Sequence, residues 1–179
     1  MFQELLAKIA AELDARGIPY MVIGGQAVLL YGEPRLTKDI DITLGLDADG
    51  AGPVAECAAR IGLKSLAGDA AEFAKSTMIF PAQDTATGIR VDFIFSWTPY
   101  ERQAIARARS VELCGTKVKF ASLEDVIVHK IIAGRPKDLE DARIVALKNP
   151  GFDGEYISRW LADFEAALGR TFDKSWKPE

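Results

Sequence analysis

The sequence predicts an α/β fold: a mixed, twisted β-sheet flanked by helices and closed by a small helical C-terminal segment. Three observations point there. Short apolar runs of strand length alternate with amphipathic helical patterns as far as Phe120. From Ser122 onward the pattern is helical only. Between them, Tyr20 to Ile23 runs into the adjacent glycines Gly24 and Gly25, a brief apolar helix, a polar turn and the alternation Asp39-Ile40-Asp41-Ile42. At 179 residues one domain with a short appendage is expected, with enough chain to bury a substantial core. The natural division is a core over 1–121 and a helical segment over 122–179 packed on it.

The elements follow in order. Phe2, Leu5, Leu6, Ile9 and Leu13 recur at helical spacing, so Phe2 to Arg16 is an amphipathic helix that Gly17 closes. Pro19 opens the strand Tyr20 to Ile23. A short helix from Gln26 ends near Gly32, because Pro34 forbids its continuation. Asp39 to Leu44 is the second strand. A turn at Asp47 to Gly50 leads to an alanine-rich helix, Pro53 to Ile61. Leu63 to Phe73 has no clear period and is expected to hold a short strand or an irregular crossing. Thr77 to Phe80 and Ile89 to Phe95 read as strands of a hairpin, and Pro99 to Arg107 as a helix. Val111 to Leu113 and Lys117 to Phe120 form a second hairpin around Cys114-Gly115-Thr116. Ser122 and Asp125 suit a capping box for the helix that ends at Gly134. Pro136 opens another helix, and Glu155 to Leu168 is the last. In the tail, Phe172 and Trp176 are the apolar residues.

Composition excludes several classes. The 49% hydrophobic and 27% charged shares are ordinary for a globular protein, and the net charge of −4 argues against a generally basic nucleic-acid-coating surface. Cys57 and Cys114 are too few for a disulfide framework or zinc site. No apolar run approaches the ~20 residues that span a bilayer, and the charged N-terminus lacks a signal-peptide core. A cytoplasmic protein without membrane contact is expected.

The chemistry concentrates between Val22 and Leu44. Two glycines between strand and helix let the backbone approach a ligand closely and leave helix N–H groups facing it, an arrangement suited to phosphate. Strand alternation puts Asp39 and Asp41 on one face about 6–7 Å apart, with Ile40 and Ile42 on the other. The carboxylates repel, and a divalent cation between them offsets that. A lone Asp-x-Asp is more often a pair of surface carboxylates. The upstream glycines, the flanking apolar residues and a third acid within the apolar run Val91-Asp92-Phe93 favour a metal site here.

These residues resemble the signature of the polymerase-beta-type nucleotidyltransferases: a hydrophobic-Gly-Gly segment, 13 intervening residues, then Asp-hydrophobic-Asp-hydrophobic, with a third carboxylate on a later strand. The form Arg35-Leu-Thr37-Lys-Asp39-Ile-Asp41 is similar to the small bacterial branch that includes abortive-infection toxin nucleotidyltransferases. The resemblance spans about residues 20 to 145. It implies a nucleotidyltransferase fold and a transfer of NMP from an NTP such as ATP to an acceptor hydroxyl. It also implies two Mg²⁺ ions, replaceable by Mn²⁺, held by Asp39, Asp41 and Asp92, with Asp92 helping to deprotonate the acceptor. Gly24 and Gly25 would then cradle the triphosphate, with Arg35 and Thr37 beside it.

Lys130-Ile-Ile-Ala-Gly-Arg135-Pro-Lys-Asp138-Leu-Glu-Asp141 resembles a later motif of the toxin-like branch, in which a helix lysine contacts the nucleotide phosphates and an arginine and an aspartate follow. By that resemblance Lys130 and Arg135 bind nucleotide. Asp138 and Asp141 share a helical face and are either accessory site residues or ion-pair partners of Arg135. His129 reads as a packing residue. Arg102, Arg107, Arg109, Lys117 and Lys119 form either a nucleic-acid groove or a solvated face. The implied acceptor is tRNA or a protein, in a toxin–antitoxin or phage-defence setting with a possible cognate partner. The other reading is a catalytically inactive module that binds a nucleotide or a partner protein.

Overall fold

The computed structural model describes residues 1–34, 36–96 and 98–172. Helix α1 (Phe2–Ala15) precedes strand β1 (Tyr20–Ile23), α2 (Gly24–Tyr31) and β2 (Asp39–Leu44). Next come a 3-10 turn at Ala48–Gly50, α3 (Ala51–Arg60), β3 (Leu63–Ser65), α4 (Ala70–Thr77), β4 (Ile79–Asp84) and β5 (Arg90–Phe95). Helix α5 (Pro99–Ala106) leads to β6 (Arg109–Leu113) and β7 (Thr116–Phe120), and α6 (Leu123–Ala133), α7 (Pro136–Lys148) and α8 (Gly154–Leu168) follow. The seven strands form one mixed sheet in the order β3-β4-β5-β2-β1-β7-β6.

The middle of this sheet is dry. Tyr20, Met21 and Val22 of β1 and Ile40, Ile42 and Leu44 of β2 are fully buried, as is Val91 of β5. β1 and β2 pair antiparallel with Ile23 opposite Asp41, and β2 and β5 pair parallel. Strand alternation with Ile40 and Ile42 inside therefore sends Asp39 and Asp41 to the other face, at the end of the sheet where β1 passes into α2.

Several elements depart from the sequence reading. Helix α2 begins at Gly24 instead of Gln26: Gly24 takes φ +62, which turns the strand directly into the helix. The stretch with no legible period contains β3 and the first half of the helix α4, which runs on through Thr77, expected in a strand; Asp69 caps it, its Oδ1 accepting the backbone N–H of Ala71 (2.9 Å) and Glu72 (3.0 Å). Only Ala74 of α4 is buried, so the helix shows no apolar stripe to read. Met78 closes it in the left-handed conformation, which moves the start of β4 to Ile79.

Helices α6 and α7 pack on α2 and on each other, and α8 packs on α6. Tyr31 Oη donates to the Ala121 carbonyl (3.0 Å), and Asn149 Nδ2 to the Tyr31 carbonyl (2.9 Å). The Ser122 hydroxyl accepts the Asp125 N–H as the capping box requires, but the Asp125 carboxylate bonds the hydroxyls of Ser122 (2.6 Å) and Tyr156 (2.8 Å). That buried bond ties α8 to the start of α6. Tyr100 meets His129, Trp160 and Phe164 edge-on, and burial holds the His129 imidazole below its usual pKa, as a packing residue. Among the described residues, no helix is long and apolar enough to cross a membrane, and both cysteines are free.

Candidate active site

A cleft of about 380 Å³ opens where β1 passes into α2, lined by Gly24, Gly25, Leu36, Thr37, Lys38, Asp39, Asp41, Lys130, Arg135, Lys137 and Asp138. Tertiary structure thus gathers residues that the sequence holds more than a hundred positions apart. Arg35 lies outside the described residues, as do Trp97 and Trp176.

Asp41 sits beside the junction of β1 and α2, opposite Ile23. Its neighbour Gly24 is so close that a β-carbon there would fall 2.0 Å from Asp41 Oδ2. The carboxylate therefore rests directly on the backbone at the start of α2, and only glycine leaves it room. Burial, then the charges of Asp39 and Asp92, push the Asp41 carboxyl up to about 6, while Lys130 and Arg135 oppose the shift.

The β2–β5 register places Asp92 directly across from Asp41 and Arg90 across from Asp39. Arg90 Nε donates to both oxygens of Asp92, at 2.9 and 3.0 Å. Asp92 does not line the cleft. Among the described residues no group of three or more Asp, Glu, His or Cys side chains is arranged to hold a metal ion. Asp39 and Asp41 nevertheless fit a hard divalent cation: they are oxygen donors at the cleft wall, burial and then their mutual repulsion already lift Asp41, and a cation relieves that load. Arg90 was not anticipated, although its place two residues before Asp92 on a strand puts both on one face.

Lys130 is almost fully buried, and its ammonium lies 2.7 Å from Asp138 Oδ1 and 3.0 Å from Asp141 Oδ2. Arg135, on the exposed side, pairs with the second oxygen of Asp138. Burial alone would raise the Asp138 carboxyl, but hydrogen bonds from Arg135 and Lys130 outweigh it and hold it below the usual carboxylate range. An ammonium has three donors, so the two carboxylates orient Lys130 and leave one N–H for another partner. Across the cleft, Gln26 Nε2 donates to Thr37 Oγ1 (2.6 Å), fixing the turn that precedes Asp39 to the first turns of α2. Gln26 was also missed; its only signal is its position directly after the glycine pair.

Two of the more distant basic residues are engaged within the chain. Arg107 pairs with Glu124 (2.9 Å) and lies 4.0 Å over the Tyr156 ring, and Lys119 pairs with Asp14 (2.7 Å). Trp160 packs against Tyr100.

No protein-family model matches the sequence, and no curated protein sequence matches it. Solved structures do. The chain is similar to the antibiotic-resistance factor ANT(2'')-Ia, solved in complex with adenylyl-2''-tobramycin, with a TM-score of 0.62 and 21% identity over 93% of this chain and 98% of that one. An antigenic nucleotidyltransferase-like protein from Paracoccidioides brasiliensis aligns at a TM-score of 0.60 and 16% identity, over 93% and 88% of the two chains. The lincosamide antibiotic adenylyltransferase LnuA, solved with lincomycin bound, aligns at 0.50 and 16% identity, over 74% and 89%. The sheet, its flanking helices and its helical C-terminal segment therefore make up the nucleotidyltransferase fold.

Proposed function

We propose that this protein is a Mg²⁺-dependent nucleotidyltransferase that moves a nucleoside monophosphate from an NTP to an acceptor hydroxyl. The observation that carries the reading is the juxtaposition, in one cleft, of the Asp39–Asp41 pair, the glycine-led start of α2 and the cations Lys38, Lys130, Arg135 and Lys137. Nucleotidyl transfer asks for positioning and charge neutralisation more than for covalent chemistry, and this set supplies both.

The Gly24 and Gly25 N–H groups, with the positive end of α2 behind them, would receive phosphate oxygens. Thr37, held by Gln26, would border the phosphates. Arg135 and Lys137 would bind them from the opposite wall, and Lys130 would add the donor that Asp138 and Asp141 leave to it. Asp138 and Asp141 then act by orienting Lys130 and not by touching substrate. Asp39 and Asp41 would hold the metal ions, joined by Asp92, which by the sequence resemblance would accept the proton of the attacking hydroxyl. Mg²⁺, when bound, neutralises the triphosphate and lowers the cost of forming the attacking alkoxide. A purely binding module would have little reason to keep Asp39, Asp41 and Asp92 together, which favours catalysis over that alternative. Arg35 belongs to the phosphate-binding proposal through the sequence resemblance alone.

The same resemblance implies a hydroxyl of tRNA or of a protein as acceptor, within a toxin–antitoxin or phage-defence setting. A small-molecule hydroxyl is the second reading. It is favoured by the nearly full mutual coverage with ANT(2'')-Ia, whose structure contains an adenylylated antibiotic. The experiment is incubation with each α-labelled NTP and Mg²⁺ in the presence of total tRNA, cell lysate, tobramycin or lincomycin, beside the Asp39→Ala/Asp41→Ala variant. Label on one acceptor class in the wild-type lanes alone identifies the acceptor. The absence of both label transfer and NTP binding overturns the catalytic reading.

A further inference from the structure

Arg90 stands where a cation is expected, yet it belongs to the chain. It faces Asp39 across the β2–β5 register and shares its Nε–H between both oxygens of Asp92. Asp92 is largely buried, with 17% of its side chain exposed, whereas 53% of Arg90 is exposed. The pair therefore joins a carboxylate that needs a counter-charge to a guanidinium that water can take back. A half-exposed ion pair is weak enough to be displaced. Of the three carboxylates, Asp39 and Asp41 line the cleft and Asp92 does not.

We propose that Arg90 is a positioning residue that occupies Asp92 as a built-in competitor of the metal ion. The site is then assembled in two stages. Asp39 and Asp41 take a divalent cation first. Asp92 becomes a ligand only after Arg90 has released it, once the nucleotide has brought further charge into the cleft. The inference rests on the metal-binding role proposed above for Asp39 and Asp41. Its consequence is specific: without nucleotide, Arg90 weakens divalent-ion binding, although it touches no ion.

The test is Mn²⁺ binding, followed by loss of the paramagnetic resonance signal of the free aquo ion, with and without a non-hydrolysable NTP analogue. Nucleotide-free Arg90→Gln is expected to bind Mn²⁺ roughly 5- to 10-fold more tightly than the wild type. Arg90→Lys, which keeps the charge, stays near the wild type. The gain disappears in Arg90→Gln/Asp92→Asn. With the analogue present, the difference between wild type and Arg90→Gln shrinks. A second measurement does not depend on Arg90 variants folding: Asp92→Asn leaves nucleotide-free Mn²⁺ affinity unchanged and lowers it when the analogue is bound. Equal or weaker binding by Arg90→Gln, or a nucleotide-free loss in Asp92→Asn, overturns the competitor role and leaves the metal site standing. If neither wild type nor Arg90→Gln binds Mn²⁺ under any condition, the metal reading of Asp39 and Asp41 falls as well.

Discussion

The Asp41 carboxylate lies against the backbone of Gly24, so close that a β-carbon there would stand 2.0 Å from its Oδ2. The glycine does two jobs at once: it takes φ +62 to turn β1 into α2, and it leaves the volume that the carboxylate fills. Gly24→Ala should therefore cost about 2 kcal/mol or more, with ~1–2 from the left-handed backbone alone and the rest from displacing Asp41. In a chain of this length that lowers Tm by roughly 4–8 °C. Gly52→Ala is the control: Gly52 lies in α3, at ordinary φ with open space around its β-carbon position, and the change should be neutral or stabilising by up to ~1 kcal/mol. Equal losses in the two variants would contradict the packing of Asp41 on Gly24.

Asp41 also makes stability depend on pH. A carboxyl raised to about 6 in the folded chain stabilises it fully below the ordinary value of 3.8, and that contribution is lost as pH rises through about 6. In metal-free protein Asp41→Asn, which carries no charge, should be more stable than the wild type at pH 7.5 by about 2–3 kcal/mol. The advantage should vanish by about pH 4. His129, whose pKa is lowered by burial, works in the opposite direction on acidification, but it is common to both proteins and cancels in the difference. Urea denaturation of both across pH 4–8 is the measurement. A pH-independent difference would contradict the raised carboxyl.

Lys130 holds two buried carboxylates together. Lys130→Met leaves Asp138 and Asp141 repelling each other without their shared cation, and should cost about 3–5 kcal/mol. Adding Asp138→Asn and Asp141→Asn to that variant removes the repelling charges and should recover most of the loss. A triple variant as unstable as the single one would show that the lysine stem, not its charge, carries the effect. Chemical denaturation of the two variants distinguishes these outcomes.

Tyr156 anchors α8 through its hydroxyl on Asp125, which is fully buried. Tyr156→Phe keeps the ring beneath Arg107 and removes only the donor, which should cost about 1–3 kcal/mol. Hydrogen exchange should show the loss first in α8. Unchanged protection of that helix would contradict the anchoring role.

The sequence alone determined the parts that depend on local period and local chemistry. The Asp39–Ile42 alternation specifies which side chains face the core. Pro34 and Gly134 end α2 and α6 near their observed limits, and Ser122 caps the start of α6. These signals lie within a few residues of what they control. Helix α4 escaped because it buries one alanine and has no stripe to read. Only the tertiary structure decided the relations across the sheet and between its layers. Asp41 meets Asp92 because β2 and β5 pair in parallel in that register, although some fifty residues separate them. Lys130 reaches the same cleft because α6 packs on α2. Arg90 looks like any surface arginine until strand pairing sets it across from Asp39, and the room that Gly24 leaves for Asp41 exists only once β1 and β2 are side by side. Periodicity is a property of neighbours along the chain, whereas charge crowding and close approach arise between residues that only folding brings together.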